Sequence, residues 1–294
     1  MNPARLLYCL SGLIILGACE PGAATGDAKP GGSTGPALRV VTLAPHLAEL
    51  MYAIGAGDLL VGVSAYTNRP ESVRSLPQVG DAFMVDRERL ALLQPDLLLA
   101  WSSGTPPHVV DKLRAAGFRI ETIRTRSLDD VARAMETIGA LTGHDVSAGD
   151  AAAQFRQEFR FLAERFSGEA PIRVFYQVSS KPIYTVNGDH YVSELIEICG
   201  GSNIFADLKD LAPVVSEEAV LARNPEVMLA AGDVRQDAFD NWQRWPSLDA
   251  NRYRNHYLLP ADEIGRPSPG LALAGEALCG ALERARLNRR AGQQ

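Results

Sequence analysis

One short unit occurs twice, 130 residues apart, and it limits the fold more than any other feature of the chain. The copies are Glu88-Arg-Leu-Ala-Leu-Leu-Gln-Pro-Asp-Leu-Leu-Leu-Ala and Glu218-Ala-Val-Leu-Ala-Arg-Asn-Pro-Glu-Val-Met-Leu-Ala. Glu88 aligns with Glu218, Pro95 with Pro225, Asp96 with Glu226 and Ala100 with Ala230. Each copy reads as a short helix stopped by proline, a carboxylate in the turn, then a buried apolar strand. A unit seen only twice at this distance predicts two similar lobes, because a solenoid needs at least three stacked units. Two α/β lobes set side by side leave a cleft between them, and such clefts hold small ligands.

The first residues read differently from the rest. Residues 1–19 place Arg5 before the apolar runs 6–10 and 13–16 and end at Gly17-Ala18-Cys19. This is the charge-then-apolar order of a secretory signal, and it is too short to span a bilayer. The ending Leu16-Gly17-Ala18-Cys19 resembles the bacterial lipobox, in which the cysteine is acylated; cleavage near Ala23-Ala24 by the ordinary signal peptidase is the alternative. Residues 20–37 are rich in Gly and Pro with no apolar period, which predicts a flexible tether. Export, with a membrane anchor at Cys19, is the expectation. The formal charge of −6 and the lack of a basic patch with interleaved aromatics argue against nucleic acid as a partner.

The body predicts an N-terminal α/β lobe over 38–145, a connecting helix over 146–170 and a C-terminal α/β lobe over 171–290. In the first lobe, strands are expected at 39–43, 59–64, 97–100 and 119–123, with helices at 47–54, 106–116 and 128–141. Strand, helix and strand of these lengths form right-handed parallel units. Ala152, Phe155, Phe159, Leu162 and Phe166 recur at spacings of three and four, a single apolar stripe on one long helix. That helix either joins the lobes stiffly or lies on the surface of the first. The second lobe reads as strands at 172–178, 227–230 and 257–259, with helices at 192–198, 217–222 and 270–287. The expected class is α/β, two Rossmann-like lobes with parallel sheets joined by a single long helix, with a ligand cleft between the lobes.

Ligands of open parallel sheets bind beyond the carboxyl ends of the strands. The residues expected there include Pro45-His46, Ser64-Ala65-Tyr66, Trp101-Ser102-Ser103-Gly104 and Ala231-Gly232-Asp233. Tyr66 and Trp101 are therefore aromatics at strand mouths, either platforms for a flat ligand or packing for neighbouring loops. No hydrolase elbow, phosphate loop, dinucleotide fingerprint or zinc-protease helix is present, so neither an enzyme nor a bound cofactor is expected. His46 sits in a mouth, but the histidines at 46, 108, 144, 190 and 256 show no metal-ligand spacing, and no metal site is expected. Glu88 and Glu218 each open a helix, where the dipole favours a carboxylate; the functional reading makes them paired acidic knobs for a partner. Cys199 and Cys279 remain in the body after export; in an oxidising compartment they read most simply as a disulfide, with two free thiols as the alternative.

Several segments resemble the periplasmic vitamin B12-binding proteins of ABC importers, within the helical-backbone class of substrate-binding proteins that also serves haem and iron–siderophores. They are Arg39-Val-Val-Thr-Leu-Ala-Pro-His-Leu-Ala-Glu-Leu, Val61-Gly-Val-Ser-Ala-Tyr-Thr-Asn-Arg-Pro, Gln94-Pro-Asp-Leu-Leu-Leu-Ala-Trp, Ile198-Cys-Gly-Gly-Ser-Asn-Ile-Phe and Val220-Leu-Ala-Arg-Asn-Pro-Glu. The resemblance runs over residues 38–288 in order. It implies a non-catalytic carrier that captures a corrinoid and hands it to a permease dimer, with an iron–siderophore or haem carrier of the same class as the alternative. It implies that Tyr66, Trp101 and Tyr184 line the corrin site, with Phe83 beside them, and that Asp262 and Arg266 form a polar pair at the cleft rim. It implies that Glu88 and Glu218 meet permease arginines and that Cys199 and Cys279 are the family's disulfide. Where the best-known members place tryptophans, this chain has Ala82 and Ala212. That departure widens the expected site and favours a corrinoid with a different lower ligand, cobinamide or another bulky flat chelate.

Overall fold

Apolar segments too short to bury themselves alone pair here into two separate sheets. The computed structural model describes residues 37–232 and 238–292; the expected signal peptide, Cys19, most of the tether and Asp233 lie outside them. The first lobe runs Val40–Thr42 (β1), Pro45–Ala53 (α1), Leu60–Gly62 (β2), Arg87–Leu93 (α2), Leu97–Trp101 (β3), Pro107–Ala115 (α3), Ile120–Ile123 (β4) and Leu128–Thr142 (α4). Its sheet is parallel throughout, in the order β2-β1-β3-β4. After Asp145–Arg165 (α5) come Ile172–Gln177 (β5), the two-residue strands Ser179–Ser180 (β6) and Ile183–Tyr184 (β7), Tyr191–Ile198 (α6) and Gly201–Asn203 (β8). Glu217–Arg223 (α7), Val227–Ala231 (β9), Asp249–Arg252 (α8), His256–Leu259 (β10), Ala261–Gly265 (α9) and Leu271–Ala291 (α10) complete it. The second sheet is parallel in the order β10-β9-β5-β8.

The repeated unit takes the same form in both lobes. Asp86 caps α2 by accepting the Arg89 N–H, and Ser216 caps α7 by accepting the Ala219 N–H. The helices end at Gln94 and Asn224, both left-handed with φ of 45° and 41°. The prolines that follow, Pro95 and Pro225, disfavour the right-handed helical conformation in the residue before them, so neither helix continues. The chain then enters β3 and β9, whose side chains are buried on both faces because helices cover both sides of each sheet.

One apolar core passes between the two sheets. It takes Val40 and Leu99 from the first sheet, Met135 from α4, Phe155 and Phe159 from α5, Leu195 from α6, Val174 and Leu229 from the second sheet, and Leu278 from α10. Separate clusters fill the outer faces, around Val109 and Leu113 in the first lobe and Phe175 and Trp242 in the second. Helix α5 is thus not a surface helix of the first lobe alone; it packs against both lobes and joins them. Its stripe of Ala152, Phe155, Phe159 and Leu162 is buried, and it packs on α4 of the first lobe and on α10 and α6 of the second. Its 21 residues span about 31 Å at 1.5 Å per residue. Cys199, at the end of α6, is bonded to Cys279 of α10, with Cα atoms 4.8 Å apart.

Strand β8 and the β6–β7 ribbon have no counterpart in the expected elements. Gly201-Ser-Asn carries no strand propensity. Tertiary bonds fix it instead: Asn203 donates to the Val186 carbonyl at 2.8 Å and to Ser193 Oγ at 2.7 Å, and accepts the Phe205 N–H at 2.9 Å.

Candidate ligand site

The carboxyl ends of β1, β2 and β3 in one lobe, and of β5, β9 and β10 in the other, carry the residues singled out above. Tyr66 lies in the loop after β2 with a left-handed backbone, φ 64°, and its side chain is 78% exposed. Phe83 lies in a tight turn, also largely exposed. Asp81 Oδ1 makes that turn by accepting the Phe83 N–H at 2.9 Å and the Met84 N–H at 2.8 Å, and these bonds hold its carboxyl below the usual carboxylate range. Tyr184 ends β7 and is partly exposed, and its backbone bridges to Val214 beside Ala212.

Trp101 is less open than an unobstructed platform. It closes β3, its backbone N–H donates to Thr105 Oγ1 at 3.2 Å, and its ring covers Gly104 so closely that a β-carbon there would collide with it. On another side it meets His46 edge to face, ring centres 5.0 Å apart at 78°. His46 is buried, and burial followed by the nearby charge of Arg266 lowers its pKa to about 3, so the ring is neutral. Trp101 Nε1, His46 Nε2, Thr42 Oγ1 and Thr125 Oγ1 are all buried without a hydrogen-bond partner, and all four residues sit at the mouth of the first sheet. A neutral imidazole can ligate a metal, yet among the described residues no three His, Cys, Asp or Glu side chains converge.

Asp262 and Arg266 sit at the two ends of α9 and pair with each other at 2.9 Å. Arg266 also crosses to the first lobe, donating to Glu49 at 2.9 Å, to Asn68 Oδ1 at 2.7 Å and to the Tyr66 carbonyl at 3.3 Å. Ser268 donates to the other oxygen of Glu49 at 2.6 Å. Beside this cluster, Arg69 reaches Glu263 at 2.5 Å and Asp262 at 3.4 Å. These ionic and polar contacts stitch the two mouths together. The sequence reading missed Glu49, Asn68, Arg69 and Ser268. The one local signal was Glu49, the lone carboxylate of a mostly apolar helix.

Beyond the carboxyl ends of β5 and β9 lies a cavity of about 630 Å³, lined by Gln177, Ser179, Lys181, Ala231 and Asp240 among others. Its size suits a small-molecule site. Tyr66, Phe83, Trp101 and Tyr184 do not line it; the aromatics edge the mouths, and this open cavity belongs to the second lobe. Gln177 in its lining donates to the Ala238 carbonyl at 2.7 Å and accepts the Trp242 indole N–H at 2.8 Å.

Glu88 and Glu218 are both exposed, in the first turns of α2 and α7. The Glu218 carboxyl is held below its ordinary range by its own backbone N–H and then by Ser216. Among the described residues no helix is long and apolar enough to cross a membrane.

A family model described as periplasmic binding protein matches residues 40–263. The vitamin B12-binding protein of Vibrio cholerae serotype O1 (strain ATCC 39541) is 38% identical over 248 residues, 83% of this chain and 88% of the relative. The crystal structure of the periplasmic vitamin B12 binding protein BtuF of Vibrio cholerae aligns with a TM-score of 0.77 at 37% identity, covering 85% of this chain and 98% of that one. The periplasmic heme-binding protein RhuT from Roseiflexus sp. RS-1, in its apo form, aligns with a TM-score of 0.70 at 24% identity, covering 84% and 99%. At that identity it speaks for the fold alone.

Proposed function

The chain belongs to the periplasmic binding protein family, and from that premise we propose that it is the substrate-binding component of an ABC importer, capturing a corrinoid and delivering it to a membrane permease. The observation that carries this reading is the likeness of the whole body, not of one motif, to vitamin B12-binding relatives. A carrier of this class takes its affinity from burying the faces of the ligand.

In this reading Tyr66, Phe83, Trp101 and Tyr184 supply apolar faces, and Asp262 with Arg266 the polar rim. The second-lobe cavity, with Gln177, Ser179 and Lys181, offers partners to the ligand's polar periphery. Ala82 and Ala212 leave room at both mouths, which suits cobinamide or a corrinoid with an altered lower ligand. Glu88 and Glu218, equivalent positions of the duplicated unit, dock one lobe each on a permease dimer. Cys19 carries the lipid anchor and residues 20–37 the tether, ahead of lobes at 38–145 and 171–290 joined through 146–170.

Competition tests the ligand class. Protein mixed with equimolar cyanocobalamin, cobinamide and haemin, then desalted, retains the corrin absorption. A retained Soret band in its place selects the haem alternative.

A further inference from the structure

Arg266 leaves the second lobe and divides its guanidinium among acceptors of the first. Glu49 Oε1 takes one hydrogen bond at 2.9 Å, Asn68 Oδ1 one at 2.7 Å and the Tyr66 carbonyl one at 3.3 Å. Asp262 anchors the same group on its own side at 2.9 Å, and Ser268 steadies Glu49 at 2.6 Å. The side chains of Arg266 and Glu49 are nearly buried, 14% and 15% exposed, so solvent screens the pair poorly. Tyr66 meanwhile holds φ at 64°, a conformation its β-carbon disfavours, while its ring stands in solvent. The base of the loop is fixed from within its own lobe, by the Ala65 N–H on the Gly80 carbonyl at 2.7 Å and by Ser64 against Thr67 at 3.1 Å. The Tyr66 carbonyl and the Asn68 side chain are held from the opposite lobe.

We propose that Arg266 is a positioning residue: from the second lobe it holds the loop 64–69 in the turn that presents Tyr66 to the ligand. This rests on Tyr66 being a wall of the corrinoid site. It narrows the part of Arg266 at the rim, which acts on the ligand through Tyr66 and not by contact. The planar fork matters, because one terminal nitrogen serves Glu49 and Asn68 while the other serves the Tyr66 carbonyl and Asp262, whereas the three donors of an ammonium radiate from a single nitrogen. Each lobe's readiness then depends on the other.

The test is hydrogen–deuterium exchange of the full chain against R266Q, R266K and E49Q, followed by titration with cyanocobalamin. Amides 65–69 exchange about tenfold faster in R266Q and less so in R266K, while β1 and β3 amides are unchanged. R266Q and Y66A each weaken binding about tenfold, and the double variant binds no more weakly than Y66A. Unchanged exchange over 65–69, or losses that simply add in the double variant, overturns the proposal, since Arg266 then touches the ligand itself. Should R266Q not fold, R266K and E49Q carry the same comparison. Faster loop exchange in a protein that binds no corrinoid at all would support the hold on the loop and defeat the corrinoid reading on which it was built.

Discussion

Asp96 and Glu226 do the same job in the two lobes. Each carboxylate accepts the backbone N–H of an arginine at the start of a parallel strand, Arg39 just before β1 at 2.8 Å and Arg173, second in β5, at 3.0 Å. Each arginine in turn donates through Nε to a carbonyl at the end of the repeated helix, Leu93 or Asn224. The duplicated turn is thus a clasp between helix end and central sheet. The two clasps differ in burial. Glu226 is buried and also pairs with Arg289 at 2.9 Å, whereas Asp96 is exposed. Burial works against the Glu226 charge, but the Arg173 N–H and Arg289 outweigh it and hold the carboxyl below its ordinary range. Chemical denaturation should show a loss of about 2–3 kcal/mol for E226A and about 1 kcal/mol or less for D96A. Equal losses would mean that the clasps contribute irrespective of burial.

Acid should destabilise the protein before its carboxylates titrate. His190 caps α6 by accepting the Val192 N–H at Nδ1, at 3.2 Å, which requires a neutral ring, and burial lowers its pKa to about 4. His46 falls to about 3 through burial and then Arg266. Both lie below the unfolded value of about 6.5, so the unfolded chain takes up protons first. Their stabilisation is full above about pH 6.5 and is lost as pH falls toward 4 and 3, at up to about 1.4 kcal/mol per pH unit for each. Asparagine at 190 preserves a capping acceptor and does not titrate. The drop in unfolding midpoint between pH 8 and pH 5 should therefore be smaller in H190N than in the parent; an equal drop would remove His190 from this account.

Removal of the disulfide should weaken the second lobe without undoing it. The bond closes a loop of 80 residues, worth at most about 4.5 kcal/mol by chain entropy. Arg286 holds the same helix end independently, donating to the carbonyls of Cys199 at 2.7 Å and Gly200 at 2.9 Å. C199A/C279A should keep the native circular dichroism spectrum and melt at a lower temperature. A spectrum of an unfolded chain would show Arg286 insufficient.

Charge reversal separates docking from capture. E88R/E218R should stop import in reconstituted vesicles while corrinoid affinity stays within about twofold, because both glutamates are exposed in the first turns of α2 and α7 and neither lines the second-lobe cavity. Import at the parent rate would remove both residues from the permease interface.

The fold was legible where the physics is local. The apolar stripe of α5 and the two copies of the helix–proline–strand unit repeat at spacings that admit few alternatives. Residues whose place depends on distant partners were not legible. Strand β8 is held by Asn203, a residue with no strand signal. Glu49 and Asn68 meet Arg266 across 217 and 198 residues of chain, a separation no window of sequence reports. Trp101 was placed at its strand mouth, but its packing on Gly104 and His46 depends on loop geometry that the spacing of residues does not encode.

The central claim is that two duplicated lobes hold a corrinoid between them, and calorimetric titration of the purified body with cyanocobalamin and with cobinamide addresses it most directly. The account predicts saturable heat at one ligand per protein for at least one of the two, lost or reduced in Y66A. No heat and no thermal stabilisation with either at tens of micromolar would contradict it.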